Sequence, residues 1–587
     1  MAKRNSNLTN NRNTNALDGR SRNSKKHLIV SPMCPPLNRG LRPIVTMQAV
    51  DSPGTLDPSL EYRSSCLSRY NLTWYNMASH NVTTKKTMPS STIKPDPFYN
   101  RALELAALDR AWKRHGAGGQ MLLLYGRRRL GKTFLLQRYF TAGTTGNEPE
   151  KPHCYFLAEQ STAATQRLTL ARQLVAALPA EGVATEEIAI SWNALMRYAS
   201  QQAQTRKKGT SRFALILDEF PYLIAQTPEL PSILQAWWDR EGVHSPLFVV
   251  LCGSQLSAMA ALGQESAPLF GRFNAGVFHI DPLHYEDVAC FYEGSRHYGV
   301  KEKLLMYGVF GGTPRYHALV DTSRPPAEEI VTLLMQPRAI LENEVRFLLG
   351  SEQIRDPAPY NAILAAIAGG ETKFNGIQQL IGVERGALSF SLRTLLELGW
   401  IRREFPFGEH SERRANYRVA DPFLTFWYRF VAPLASDLQF SDPAAVYATH
   451  VAPRLADYMG WSVFEEICGQ WLQRNAKQRL GLTVRQMARY WSRDGRTEID
   501  LVAELQNGGF LFGECKWRTE SVTRLSDLSA LQAKVASLPE AGWRNKPSYI
   551  LFAPGGFSRE LVQLAADPAE RLHLVSEPDM LDMTIKT

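Results

Sequence analysis

The sequence lacks any apolar run long enough to cross a membrane. Its prominent apolar runs, Met121–Tyr125, Phe213–Leu217 and Leu247–Cys252, hold five or six residues each. A transmembrane helix needs about 20 consecutive apolar residues. We therefore expect no membrane-spanning segment and no membrane partner.

Paired cysteines are also missing. The seven cysteines are scattered along the chain without any Cys-x-x-Cys pair. This pattern excludes an obvious zinc ribbon and is typical of a reduced compartment. We therefore expect a cytoplasmic protein.

Most of the chain has almost no net charge, although the whole sequence carries +10. Residues 1–96 contain 14 Lys and Arg against 5 Asp and Glu, whereas the remainder contains 53 against 52. The overall basicity is therefore no argument for a nucleic-acid surface on the folded part. Residues 1–96 are rich in Asn, Ser, Thr and Pro, which predicts a disordered basic tail. A native start at Met88 is the alternative explanation of this segment.

From residue 98 onward, strand and helix patterns alternate as far as about residue 282. Such alternation predicts a mainly parallel sheet covered by helices on both faces. The first strand pattern runs straight into a Gly-x-x-x-x-Gly-Lys-Thr loop, and a helical pattern follows. Glycines let backbone N–H groups turn toward phosphates, and the helix N-terminus adds partial positive charge.

The sequence therefore predicts an ATP site in this loop. We expect Lys132 to bind the β- and γ-phosphates and Thr133 to coordinate Mg²⁺. The loop residues predicted to bind ATP are Gly126, Arg127, Arg128, Arg129, Leu130, Gly131, Lys132 and Thr133.

Two further strand ends carry polar residues suited to the same site. The apolar strand Phe213–Leu217 ends in Asp218-Glu219. We expect Asp218 to hold Mg²⁺ through its water shell and Glu219 to orient or deprotonate the attacking water. The next strand ends in Cys-Gly-Ser254-Gln255. Ser254 is the candidate for contact with the γ-phosphate or the water, with Gln255 as the alternative.

These motifs occur in an order that resembles the archaeal-type ATPases, a family related to AAA+ and STAND ATPases. The resemblance covers about residues 97–345 and includes Phe270-Gly-Arg272 and Gly311-Gly-Thr-Pro314-Arg315-Tyr316. By this resemblance Pro314 contacts the adenine, and Arg272 and Arg315 sense the phosphates. Whether either arginine acts within its own chain or on a neighbouring copy stays open, and a homo-oligomer is one expectation.

Three helical patterns and a hairpin follow over residues 358–420, which predicts a winged helix-turn-helix. In a DNA-binding protein Arg385, Ser389, Ser391 or Arg393 would face a groove, and the hairpin arginines would bind phosphates. The alternative is a structural module that packs on the ATPase. Acids interleave the hairpin arginines, so the sequence leaves both interpretations open.

A second set of charged residues lies near the C-terminus. Asp500 lies on one predicted strand, and Glu514 and Lys516 lie two residues apart on the returning strand, hence on one face. Two carboxylates and a lysine on one face suit metal-dependent phosphodiester hydrolysis. The pattern resembles the PD-(D/E)xK nucleases, and with the stretch Tyr417–Trp427 it resembles the DUF234 region. That resemblance makes Glu465 a further, helix-borne acid, with Glu465, Asp500 and Glu514 as metal ligands.

We therefore predict a multidomain α/β protein that uses ATP and Mg²⁺ and has DNA as its downstream partner. One hypothesis is an ATP-dependent enzyme whose nucleotide state controls a nuclease-like domain, and the other is a nucleotide switch or DNA-binding regulator without nuclease activity. The predicted divisions are a tail (1–96), a three-layer P-loop ATPase core (97–282), a helical lid (283–345), a winged helix (346–425), a connector (426–454) and a restriction-endonuclease-like domain (455–580).

Overall fold

The computed structural model describes residues 98–582, apart from 115–117, 207–211, 353, 355, 519–520 and 545. The predicted basic tail lies outside the described residues. Among the described helices, none has the length and apolar character needed to cross a bilayer.

A five-stranded parallel sheet with the order β2-β3-β4-β1-β5 forms the first module. Its strands are β1 (Gln120–Tyr125), β2 (His153–Leu157), β3 (Phe213–Asp218), β4 (Leu247–Gly253) and β5 (Gly276–His279). Its helices are α1 (Ala102–Trp112), α2 (Lys132–Ala142), α3 (Ala163–Ala177), α4 (Thr185–Ile188), α5 (Trp192–Thr205), α6 (Phe220–Gln226), α7 (Leu230–Arg240) and α8 (Leu256–Leu262).

Alternate residues of the sheet bury into two separate apolar layers, because successive side chains on a strand point to opposite faces. Leu215, Leu217 and Leu251 pack under the face that α3, α5 and α7 cover. Ile216 and Val250 pack on the opposite face, under α1 and α2. The predicted α/β core with helices on both faces of a parallel sheet is confirmed.

Helices follow the sheet and share one apolar core with many of the elements behind them. They are α9 (Tyr285–Ala289), α10 (Val300–Phe310), α11 (Pro314–His317), α12 (Pro326–Ile330) and α13 (Glu344–Ser351). A single cluster of buried side chains runs from Leu256 to Met580. Elements on either side of the predicted divisions at residues 345, 425 and 454 contribute to this cluster, and those boundaries stay predictions.

The winged-helix segment consists of α14 (Ala358–Ala368), α15 (Phe374–Ile381), α16 (Arg385–Glu397) and an antiparallel pair, β6 (Ile401–Glu404) and β7 (Asn416–Val419). The hairpin loop docks on the C-terminal module. Phe407 is buried there against Trp543, with ring centroids 5.3 Å apart, and its N–H donates to the carbonyl of Arg489 at 2.8 Å. The wing is thus a packed structural element.

A short connector leads to a second five-stranded sheet with the order β12-β11-β10-β9-β8. Strands β8, β9 and β10 are antiparallel, and β10, β11 and β12 are parallel. The connector contains α17 (Pro422–Phe426), α18 (Asp437–Phe440), α19 (Pro443–Val446) and α20 (Leu455–Tyr458). The module contains α21 (Phe464–Leu480), β8 (Val484–Trp491), β9 (Glu498–Leu505), β10 (Phe510–Cys515), α22 (Leu525–Ala536), β11 (Ser548–Ala553), α23 (Arg559–Ala565), β12 (Leu572–Ser576) and α24 (Glu577–Met580).

Gly311 brings the helical region and the end of the winged helix into close contact. It ends α10 with φ 65° and ψ −157°, a conformation that is essentially restricted to glycine. A Cβ at this position would lie 2.3 Å from Oδ1 of Asp421, the residue before α17. The backbone at Gly311 is therefore shaped to admit the Asp421 carboxylate.

Replacing Gly311 with alanine should destabilise the whole chain. The backbone conformation alone costs about 1–3 kcal/mol for a residue with a Cβ, and the contact with Asp421 adds to it. We expect a thermal unfolding midpoint several degrees lower, measured by circular dichroism. Gly386→Ala is the matched control, because a Cβ there meets no atom within 4 Å and alanine favours the helix. Equal midpoints for the two variants would contradict this account.

Candidate nucleotide-binding site

The phosphate loop lies between the end of β1 and the start of α2. Gly131 precedes the helix with φ 85°, and Arg129 also has a positive φ, 68°. Lys132 is buried, and its Nζ donates to the carbonyls of Gly126 at 2.7 Å and Arg127 at 2.9 Å. Burial lowers the pKa of Lys132, although Glu219 and Asp218 nearby oppose that shift. The loop backbone therefore surrounds the Lys132 side chain. The first N–H groups of α2, as in any α-helix, have no hydrogen-bond acceptor within the helix.

Asp218, the last residue of β3, is hydrogen-bonded to the start of α2, to β2 and to the next residue of the chain. Its Oδ2 accepts from the Thr133 hydroxyl at 2.6 Å and from the Tyr155 hydroxyl, and its Oδ1 accepts from the Glu219 N–H at 2.9 Å. The carboxylate is buried. Because β1, β3 and β4 are parallel neighbours, their carboxyl ends meet at one edge of the sheet, where Asp218 reaches the start of α2.

Glu219 and Ser254 form a second contact at the same edge. The Ser254 hydroxyl donates at 2.9 Å to both carboxylate oxygens of Glu219. Arg128 lies beside this pair. Its Nε is 3.3 Å from the Ser254 hydroxyl, and one of its Nη atoms donates to the Tyr222 hydroxyl at 2.7 Å. The structure thus brings together Lys132, Thr133, Asp218, Glu219 and Ser254.

This arrangement fits a nucleoside triphosphate with Mg²⁺. A hydroxyl and a carboxylate 2.6 Å apart, Thr133 and Asp218, are oxygen donors of the kind that Mg²⁺ takes. A Cβ at Gly131 meets no atom within 4 Å, so the loop is open there. At Gly126, the first residue of the loop, a Cβ would lie 2.6 Å from the Ile280 carbonyl oxygen, so the start of the loop is closely packed.

Two loop arginines, Arg127 and Arg129, pair with buried acids of later elements. Arg127 pairs with Asp421, and Arg129 pairs with Glu344 at 2.8 Å. Tyr316 donates to the same Glu344 at 2.8 Å. The predicted ATP contacts of Arg127 and Arg129 therefore concern their backbone in this structure, because their side chains are engaged elsewhere.

Leu130, the fifth residue of the loop, faces the protein core. Its side chain is only 1% exposed and packs in the apolar layer under α1 and α2. Its carbonyl accepts a hydrogen bond from Nη2 of Arg101 at 3.1 Å. The side chain of Leu130 therefore anchors the loop in the core, and its predicted contact with ATP through the backbone N–H stays a prediction.

Glu352 is an acid of this site that the motifs did not reveal. It follows α13, and its carboxylate accepts a hydrogen bond from the Leu256 N–H while lying in the field of Arg128, Lys132 and Arg127. Burial raises its pKa to about 7, and these cations partly offset the shift. A carboxyl group that titrates near neutrality thus faces the phosphate loop.

The two predicted sensor arginines lie in very different places. Arg272 pairs with Asp239 at 2.9 Å. Its neighbour Asn274 binds the backbone of Gly119 and Met121, at the amino end of β1. The phosphate loop follows the other end of that strand, about 16 Å away. Arg272 therefore lies away from the phosphate loop of its own chain, and its predicted role as a phosphate sensor stays a prediction. Arg315 is exposed on α11 beside Tyr316, so its predicted role, like that of Pro314, stays a prediction.

Asp500 on β9, Glu514 on β10 and Lys516, the residue after β10, lie next to one another. Gly513 pairs with Leu501, which places Glu514 beside Asp500. Lys516 Nζ lies 2.5 Å from Glu514 Oε1, and Lys534 of α22 lies 2.9 Å from Oε2. Burial, followed by the nearby Glu514, raises the pKa of Asp500. Two lysines therefore neutralise Glu514.

Glu465 lies at the start of α21 but is paired with arginines. Arg418 and Arg489 lie 3.1 and 3.2 Å from its Oε2, and burial raises its pKa to about 7. Within the described part of the chain, no group of three or more His, Cys, Asp or Glu side chains is placed to hold a metal ion. The predicted metal set of Glu465, Asp500 and Glu514 is therefore not assembled here, because cations engage Glu465 and Glu514.

The winged-helix residues separate into an exposed face and paired arginines. Arg385, Ser389 and Arg393 are exposed on α16 together with Phe390, whereas Ser391 is buried and cannot face a groove. Most hairpin arginines bind protein groups: Arg402 pairs with Glu404 and Glu466, Arg403 with Glu412, Arg414 with Glu409 and Arg418 with Glu404 and Glu465. For the hairpin, the structure favours packing over phosphate binding.

Several of the residues at these sites were not found from the sequence. Tyr155 is the middle residue of β2, the strand next to β3 in the sheet, so strand adjacency is the signal that points to it. Glu344, Glu352, Asp421 and Lys534 gave no local signal, because each reaches its partner from a distant part of the chain.

Comparison with known proteins finds chains that are similar in sequence or in structure. The chain is 27% identical over 427 residues to the protein MJECL04 of Methanocaldococcus jannaschii, covering 72% of this chain and 88% of that protein. Among solved structures, it is similar to the Walker-type ATPase PABY2304 of Pyrococcus abyssi (TM-score 0.42, 17% identity, 57% of this chain and 96% of that one). It is also similar to the ORC2 protein of Aeropyrum pernix (TM-score 0.38, 16% identity, 59% and 96%).

Two family models match successive parts of the chain. Residues 98–320 match the ATPase domain that occurs predominantly in Archaea. Residues 427–528 match DUF234, described as archaeal and bacterial proteins of unknown function. The first match contains the phosphate loop, Asp218 and the Gly311–Pro314 turn, and the second begins just behind the winged helix. This chain therefore contains an archaeal-type ATPase domain and, behind it, a DUF234 region.

Proposed function

We propose that the chain binds and hydrolyses ATP with Mg²⁺ at the carboxyl edge of the parallel sheet. Lys132 and the loop N–H groups bind the phosphates, and Thr133 and Asp218 hold the metal ion, which neutralises phosphate charge. Glu219 accepts the proton of the attacking water. Ser254 orients Glu219, since its hydroxyl donates to both carboxylate oxygens.

The hydrogen bond between Thr133 and Asp218 carries this proposal. It brings the residue after the phosphate-loop lysine against the acid that ends β3, 85 positions later in the chain. A hydroxyl and a buried carboxylate in this relation to a helix N-terminus match what triphosphate binding with Mg²⁺ requires. The match of residues 98–320 to an ATPase domain supports the same conclusion.

We further propose that the nucleotide state controls the winged helix and the C-terminal module, and that DNA is the downstream partner. Support for DNA comes from α16, where Arg385, Ser389, Phe390 and Arg393 form an exposed face. Cations, a hydroxyl and an apolar ring on one helix suit contacts with phosphates and base edges. Arg272 acts on phosphate only in a homo-oligomer, where it would reach the site of a neighbouring copy.

Of the two roles for the C-terminal module, we favour regulation without nuclease activity. Lys516 and Lys534 pair with the two carboxylate oxygens of Glu514. Arg418 and Arg489 pair with the carboxylate of Glu465. The residues present do not fit a metal ion in this arrangement. The nuclease hypothesis rests on Asp500, Glu514 and Lys516 sharing one face of the sheet, next to one another.

Lys132→Ala should abolish ATP binding, whereas Glu219→Gln should keep binding and lose hydrolysis. Removing a buried charged partner of a ligand costs about 2–5 kcal/mol, which weakens affinity about thirtyfold or more. Loss of a general base lowers kcat by about 10²- to 10⁴-fold. Calorimetry measures the first effect and phosphate release the second.

The controls for these two variants are Lys477→Ala and Glu229→Gln, which change exposed side chains of the same types on α21 and before α7. Both should behave as the wild type. Unchanged ATP affinity in Lys132→Ala would overturn the proposed site.

Glu352→Gln should strengthen ATP binding in a pH-dependent way. With a pKa of about 7, Glu352 is mostly ionised at pH 8 and mostly neutral at pH 6. The ionised form repels phosphates, so the substitution should tighten binding about threefold to tenfold at pH 8 and have little effect at pH 6. Calorimetry at both pH values provides the measurement. A gain of the same size at pH 6 and pH 8 would count against repulsion by the ionised carboxylate.

DNA binding should depend on the exposed face of α16 and on nucleotide. We expect Arg385→Ala/Arg393→Ala to weaken binding of a labelled duplex and to reduce the slope of log K against log salt by about 2, one for each lost phosphate contact. Fluorescence anisotropy with and without an ATP analogue measures both effects. Arg172→Ala/Arg240→Ala, which removes two exposed arginines of the ATPase core, is the control pair.

The same reactions, run on denaturing gels with Mg²⁺ or Mn²⁺, separate the two roles of the C-terminal module. Intact DNA in every nucleotide state supports a regulator. Cleavage that disappears in Asp500→Ala and in Lys516→Ala would establish the nuclease instead. Equal DNA binding by the α16 variant and the control pair would exclude α16 as the contact surface.

A further inference from the structure

The end of β7 and the turn before α17 contain two buried charged residues, and each of them pairs with a different part of the chain. Arg418 and Asp421 are three residues apart, and both are almost fully buried. Arg418 pairs with Glu465 at the start of α21, whereas Asp421 pairs with Arg127 in the phosphate loop. Both residues lie between the regions that match the two family models, at residues 98–320 and 427–528.

The Asp421 end is fixed by three groups. Its Oδ2 accepts from Arg127, its Oδ1 accepts from the Phe423 N–H at 2.9 Å and so caps α17, and Gly311 lies against it. The carbonyl of Arg127 in turn accepts from Lys132 Nζ at 2.9 Å. The position of Asp421 therefore sets the position of the residue that holds the phosphate-binding lysine.

The Arg418 end is fixed equally well. Its Nη2 lies 3.1 Å from both Glu465 Oε2 and the Trp461 carbonyl, and its Nε lies 3.6 Å from Glu404. A buried ion pair loses much of its stability when either partner moves, because the separated charges are left without water. A displacement of Asp421 is consequently passed to Glu465 over three residues of backbone.

We infer that the Arg418–Asp421 segment couples the nucleotide site to the start of α21, with Asp421 as a positioning residue of the phosphate loop. The inference rests on the proposed ATP site. When phosphates draw on the loop, Arg127 and Asp421 shift together, and Arg418 carries the change to Glu465. The coupling is reciprocal, as thermodynamic linkage requires.

The first test measures affinity. Asp421→Asn keeps the side-chain oxygen that caps α17 and removes the charge that holds Arg127. We expect the Kd for an ATP analogue to rise about tenfold, within the range typical of coupled sites. Asp442→Asn is the matched control, because Asp442 caps the exposed helix α19 in the same way and should leave the Kd unchanged.

The second test measures transmission, which a purely structural role of Asp421 would not affect. Hydrogen exchange of the full chain is followed by mass spectrometry with and without saturating analogue. In the wild type, nucleotide should change exchange in both residues 126–134 and residues 458–468. In Asp421→Asn the change at 126–134 should remain, and the change at 458–468 should disappear. An equal change at 458–468 in the two proteins would overturn the coupling.

A double variant guards against misfolding. Arg127→Gln/Asp421→Asn removes both charges, so no unpaired charge stays buried, and it should also lose the response at 458–468. A retained response there would overturn the inference. A wild type without affinity for ATP would refute the proposed function, and the coupling with it. A wild type that binds ATP, together with variants that behave like it, would refute the coupling alone.

Discussion

The hydrogen bond from Thr133 to Asp218 is the contact on which the nucleotide site depends. It forms because β1 and β3 are parallel strands of one sheet, so that their carboxyl ends meet even though a long stretch of chain separates them. Buried alternate residues on both faces hold those strands in register. The site is thus a product of sheet topology, and the chemistry of the loop works only where that topology places it.

The phosphate loop is also the point at which distant modules meet. It carries three consecutive arginines, and two of them pair with acids of the helical region and of the segment before α17. Lone buried carboxylates would be costly, and pairing with the loop offsets that cost. Because the same loop binds phosphates, the groups that hold the later modules in place are adjacent to the groups that bind ligand. Ion pairs in this way join the loop of the candidate nucleotide site to α13 and to the segment before α17.

The sequence predicted the local parts of this structure well and the long-range pairs poorly. Strand, loop and helix around Lys132 follow from glycine spacing and apolar runs, which are local properties. Arg127 and Asp421 are 294 positions apart, and no local pattern indicates that they meet. The order of the motifs does not say at which end of the sheet Arg272 lies, whereas its position just before β5 indicates the amino end. The hairpin arginines pair mostly with the acids that interleave them, Glu404, Glu409 and Glu412, and the sequence did not show that two of them also reach Glu465 and Glu466 of α21.

The C-terminal acids show why residue identity is a weak guide to activity. Asp500, Glu514 and Lys516 lie together as a nuclease would need them, yet Lys534 and Lys516 bring two positive charges against the single negative charge of Glu514, and two arginines hold Glu465. A metal ion would have to compete with cations that are already bound at contact distance. One of those cations, Arg418, belongs to the segment that also anchors the phosphate loop. Arg418 therefore reaches the C-terminal site from outside its own sheet, whereas Arg489 of β8, Lys516 and Lys534 belong to the C-terminal module itself.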